Sequence, residues 1–178
     1  AAKIPFQFDY ADGDADSTDT MGHGSHVAGI IAGATTANLI NTYNIKNVGV
    51  APDAPLVVMK VFDTNGGASM TYVTAALEDA ILLGVYAANL SLGTSCGSVT
   101  GYPEITAVFN AALDAGINVA VAAGNDANST NKSLWNNDLG LAGNPDIGVL
   151  SMPATFDAPI SVASADNSTS FAGFASTL

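Results

Sequence analysis

The sequence predicts an α/β protein built on a parallel sheet with helices on both faces. Three features point there: apolar runs alternate with segments of helical spacing, the runs are apolar almost throughout, and glycine or proline punctuates the joins. A strand covered on one face alternates polar and apolar residues, whereas a continuous apolar strand needs cover on both.

Each element has a local reason. In "TMGHGSHVAGIIAG" the glycines at 22 and 24 free the backbone for a tight turn, and "HVAGIIAG" continues as an apolar helix of small residues with His23 at its start. "PLVVMKVFD", Pro55 to Asp63, is short and β-branched and reads as a buried strand. "SMTYVTAALEDAILLG", Ser69 to Gly84, has helical spacing and a glycine stop. "VYAANLSLG", Val85 to Gly93, is the next strand, and the helix Pro103 to Gly116 opens on proline and ends on glycine. "INVAVAAGN", Ile117 to Asn125, and "ISVASA", Ile160 to Ala165, supply the last strands. Between them Asp126 to Phe156, rich in Asn, Gly, Pro and Asp, reads as a long surface connection. The acidic run from Asp9 to Asp19 also reads as a surface loop.

Composition narrows the function. The chain has 178 residues, 48% hydrophobic and 11% charged, enough for one domain with a real core. Its net charge of -12 comes from 16 acidic residues against 4 basic ones, which argues against nucleic acid and anionic membranes, both of which need clustered Lys and Arg. No apolar run reaches the roughly 18 residues of a membrane span. The single cysteine, Cys96, rules out an internal disulfide framework and reads as a small buried residue.

In open parallel sheets ligands bind at the carboxyl ends of the strands, which draws attention to residues after Leu90 and Ala122. Both histidines, His23 and His26, lie in one short run. A ring at the start of a helix faces the positive end of the dipole, which disfavours an imidazolium and suits a proton acceptor. Core histidines with satisfied hydrogen bonds fit the same spacing. A zinc pair fits it less well, because no Cys or Glu stands nearby at ligand spacing. Gly124-Asn125, read alone, is an ordinary turn dipeptide.

Together these segments resemble a known family. "HGSHVAGIIAG" resembles the histidine motif of the subtilisin-like serine peptidases, "NLSLG" their substrate-binding strand, and "VAAGN" the segment ending in their oxyanion-hole asparagine, all in the family's order. "KIPFQFDYADGD", "VGVAPDAPLVVMKVFD", "PEITAVFNAALDAGINVAVAAGND" and "IGVLSMPATFDAPISVASADN" extend the likeness over nearly the whole chain. They look like the large secreted branch that includes lactocepin and the complement-cleaving cell-envelope peptidases.

The resemblance implies a subtilisin-like fold, a peptide or protein substrate, and a secreted or cell-envelope location. It implies that His23 is the general base and that His26 supports the helix. Gly24 and Gly29 would allow close backbone approach. Ser91, Leu92 and Gly93 would pair with an extended substrate through main-chain hydrogen bonds. Asn125 would donate its side-chain amide to the oxyanion of the tetrahedral intermediate.

Two parts of the family pattern have no match. The acid motif, of the "DTG" or "DSG" kind, should precede the histidine; "VFDTNGG" follows it, so Asp63 is not the triad acid, and no member of the acidic run matches. The "GTSMA" nucleophile motif is absent, and "STSFAG", Ser168 to Gly173, stands where the large branch continues into an inserted domain. Residues 1–178 are therefore expected to be a central part of a peptidase domain, inactive alone, with 166–178 opening an insertion. The chemistry requires no cofactor. Calcium is carried as an expectation on "DGDAD", Asp12 to Asp16, whose alternate carboxylates are spaced as in calcium loops, against a solvated acidic loop. The competing function is a non-catalytic module that keeps the fold and binds peptide beside Ser91.

Overall fold

The computed structural model describes residues 2–35, 40–42, 48–94, 102–125 and 150–164. The elements run β1 (Phe6–Asp9), α1 (His23–Ala32), β2 (Val57–Lys60), α2 (Met70–Leu83), β3 (Ala87–Leu90), α3 (Pro103–Asp114), β4 (Asn118–Ala122) and β5 (Ile160–Val162). The chain divides into two compact units, one of Ala1–Ala88 with Glu104–Ile117, the other of Asn89–Pro103 with Asn118–Leu178.

In the first unit β1 and β2 pair in parallel, with Phe6 opposite Val57 and Asp9 opposite Lys60. Strand β1 corrects the sequence reading, which placed Asp9 in a surface loop. Asp9 ends that strand and is only 1% exposed. A carboxylate is tolerated there because it is paired: Lys60 bonds to it, and the Ala11 and Asp12 amides donate to its Oδ1 at 2.9 and 3.1 Å. Burial alone would raise the Asp9 pKa, but the Lys60 ammonium and these amides hold it below the ordinary value. Lys60 is correspondingly raised by its bond to Asp9. The pair fixes the turn after β1, where the Asp14 carbonyl also accepts the Asp9 amide at 2.8 Å.

Helix α2 forms where its signals place it. Ser69 caps it, accepting the Thr71 amide at 3.2 Å, and Gly84 ends it in the left-handed region at φ 67°. Val73, Ala76, Leu77 and Ala80 form its buried stripe. Tyr10 Oη donates to Asp79 at 2.7 Å and ties α2 to the end of β1, and the Tyr10 pKa is raised first by burial and then by this bond. Helix α3 buries Phe109 and Ala112 and is closed by Gly116 at φ 80°.

Strands β3, β4 and β5 form a sheet in that order. β4 and β5 are parallel, Ala120 opposite Ile160 and Ala122 opposite Val162. In the second unit Val119 and Val121 are buried, as are Leu90, Met152, Ala154 and Phe156. Parallel strands joined through helices confirm the α/β class. No helix among the described residues is long and apolar enough to cross a membrane. Cys96 and the region 126–149 lie outside the described residues.

Candidate active site

The histidine segment is built on the first unit. His23 is the first residue of α1 and His26 lies one turn on; both are exposed. The residue before the helix, Gly22, sits in the left-handed region at φ 85° and has no side chain to cap the free amides. Asp19 does this instead. Its Oδ1 accepts the Met21 and Gly22 amides at 3.0 and 2.8 Å, and its Oδ2 accepts the Ser25 amide at 2.7 Å. The Ser25 amide first, then that of Gly22, hold the Asp19 pKa far below the carboxylate range. This residue was missed in the sequence reading. Its signal was an Asp followed three residues later by a glycine at a helix start, the pattern of a carboxylate folding back on its own turn.

The opposite end of α1 is tied by main chain. The Gly49, Val50 and Ala51 amides donate to the Gly33, Ile30 and Ile31 carbonyls at 2.7, 3.0 and 2.8 Å, giving the terminal carbonyls partners. That crossing is tight, because a Cβ on Gly49 would lie 2.5 Å from the Ala32 and Gly33 nitrogens. The close approach expected at Gly24 and Gly29 lies elsewhere. Among the described residues a Cβ on Gly29 would meet nothing within 4 Å, and one on Gly24 only Asp19 Oδ2 at 3.6 Å, so the close approach belongs to Gly33 and Gly49. Backbone crosses the helix at its end, not along its middle.

The other site residues belong to the second unit. Ser91 and Leu92 are half-buried and Gly93 exposed just after β3, with the Asn89 side-chain amide donating to Ser91 Oγ at 3.0 Å. Asn125 is exposed just beyond β4 and follows Gly124, whose φ of 105° turns the chain out of the strand. Ser151 and Met152 lock these two strand ends together. The Ser151 amide donates to the Ala123 carbonyl at 2.9 Å, and Thr94 and Met152 exchange amide bonds at 2.9 and 3.0 Å. Added Cβ atoms on Gly93 and Gly124 would both meet Ser151 Cβ at 2.9 Å, and that on Gly124 would meet its Oγ at 2.1 Å. Both glycines are thus required by one buried serine that sequence reading left inside a connecting segment.

Among the described residues no group of three or more His, Cys, Asp or Glu side chains could hold a metal ion. In the acidic turn Asp14 accepts the Asp16 amide, and Asp16 accepts the Thr18 amide and hydroxyl. A groove of about 430 Å³ lies between α2 and α3, lined by residues from Met70 to Glu78 and from Glu104 to Val108. It contains none of the site residues named above.

Parallel strands joined by helices define an α/β protein. The chain belongs to the subtilase family, which it matches over residues 6–177. It is 38% identical over 175 residues to a PII-type proteinase of Lacticaseibacillus paracasei and 33% identical over 164 residues to a C5a peptidase of Streptococcus pyogenes. The matches take in 93% and 91% of this chain but only 9% and 13% of those proteins. Among solved structures it is similar to a lanthipeptide protease, with a TM-score of 0.61, 22% identity, and coverage of 89% of this chain and 41% of the other. A cold-adapted subtilisin-like serine proteinase matches with a TM-score of 0.57 and 27% identity over 72% of this chain and 41% of its own. The fold is therefore subtilisin-like.

Proposed function

We propose that this chain carries the histidine and oxyanion-asparagine segments of a secreted or cell-envelope serine endopeptidase. The observation that carries the reading is the subtilase match over residues 6–177, supported by relatives named as a proteinase and a peptidase. In this reading Ser91, Leu92 and Gly93 pair with an extended peptide. A serine supplied from outside residues 1–178 attacks the scissile carbonyl, and His23 takes its proton and later returns one to the leaving amine. An aspartate, also from outside, orients the imidazole. The Asn125 side-chain amide donates to the oxyanion. Hydrolysis by this route needs no cofactor, and residues 1–178 alone lack the nucleophile.

The exposure of His23 and Asn125 supports the assignment, since both must meet substrate. A fluorophosphonate probe on the full-length protein tests it. We expect labelling at a serine, and His23→Ala should lower turnover of a peptide substrate by about 10²- to 10⁴-fold. Retained peptide binding without labelling or hydrolysis would favour the non-catalytic module instead.

A further inference from the structure

The His23 segment raises a mechanical problem. A general base must be held within a fraction of an ångström of its working position, and a 1 Å misplacement can cost about 10²-fold in rate. Yet α1 buries only Ala32, and its first residue leaves from a left-handed glycine that cannot cap the helix. Among the described residues, no side chain at this end of the helix is fully buried.

We propose that Asp19 is a positioning residue for His23: one carboxylate binds the amides of Met21, Gly22 and Ser25, clamping the backbone on both sides of the histidine. The proposal rests on His23 being the general base. The clamp is bidentate, with Oδ1 taking the two amides before His23 and Oδ2 the one two residues after it. The main chain therefore cannot rotate about position 23 without breaking a charge-assisted bond, the stronger kind. The Gly22 carbonyl accepts the His26 amide at 3.0 Å and closes the first turn over the same point.

A second support approaches from β2. A Cβ on Gly66 would lie 3.3 Å from Met21 Cε, so the Met21 side chain rests on the loop after that strand. That loop has the same construction: Asp63 Oδ1 accepts the Asn65 and Gly67 amides, both at 2.8 Å. Asp63 therefore has a local structural job in the "VFDTNGG" motif. Asp19 acts on the turn, and the turn acts on the ring.

The test uses the full-length protein with Asp19→Ala, Asp19→Asn and His23→Ala. For Asp19→Ala we expect kcat to fall about 10- to 100-fold while KM stays within about twofold, since the substrate strand is untouched. Asp19→Asn keeps the Oδ1 acceptor for Met21 and Gly22 but loses the anionic bond to Ser25, so it should fall between the two. Three-bond couplings across the His23 χ1 provide a readout that does not depend on catalysis: one rotamer in the unaltered protein, averaged rotamers in Asp19→Ala. A single rotamer retained in Asp19→Ala, or kcat unchanged in Asp19→Ala where His23→Ala lowers it by about 10²- to 10⁴-fold, overturns the proposal. Hydrolysis undiminished by His23→Ala overturns the assignment of His23 as the general base instead, and the couplings still decide whether Asp19 fixes the ring.

Discussion

Helices α1 and α2 belong to the same unit and are both rich in apolar residues, yet they are held in opposite ways. α2 buries four side chains along one stripe and is capped locally, by Ser69 at one end and Gly84 at the other. α1 buries one, and Ile30 on it is 56% exposed. Its order comes from its two ends: an aspartate three residues before Gly22 and a returning main-chain segment at 49–51. Apolar composition makes a helix available for packing but does not say which helix is packed. Stability of α2 should follow side-chain volume, and that of α1 its polar ties and the space left to backbone.

The largest contrast is in side-chain truncation. Leu77→Ala removes a side chain 3% exposed and should cost about 2–5 kcal/mol in a denaturant titration. Ile30→Ala on α1 should change stability by no more than about 0.5 kcal/mol. Equal costs would show that α1 is as closely packed as α2 in solution.

Glycine substitutions sharpen the point within α1 itself. Gly49→Ala forces a Cβ against the Ala32 and Gly33 nitrogens and should cost about 1–3 kcal/mol. Gly29→Ala enters open space in a helix interior and should stabilise by about 0.5–1 kcal/mol, read as a rise in melting temperature. A cost at Gly29 would restore the close approach expected there from the family resemblance.

The smallest effect is the dependence on pH. The folded-state pKa of Asp19 lies below its unfolded value of about 3.9, so its tie contributes fully above that value and is lost as pH falls through the folded one. Ser69 does not titrate in this range. Acidification should therefore shift the Ser25 amide resonance while that of Thr71, bonded to Ser69, stays in place. Parallel movement of both would mean global acid unfolding rather than loss of one cap.

Much of this architecture was legible in the chain. The helices end at Gly84 and Gly116, the glycine stops the sequence predicts, both in the left-handed region, and the strands around Val58, Asn89 and Val121 lie inside the predicted runs. β1 was not legible, because only four residues, Phe6 to Asp9, separate its opening from an acidic turn and its last residue is charged. Its burial depends on Lys60, 51 residues away. The roles of Asp19 and Ser151 were hidden for a related reason: each is defined by backbone groups it meets, and those carry no letter in the sequence.

Alone, the sequence determined the order and kind of the elements after β1, since periodicity and stop signals act within a few residues, and the motifs that place the chain among the subtilases. The tertiary structure decided which carboxylates are buried, which glycines are indispensable and which helix is packed. Those depend on atoms brought together from distant positions, where a charge finds its partner or a Cβ finds no room.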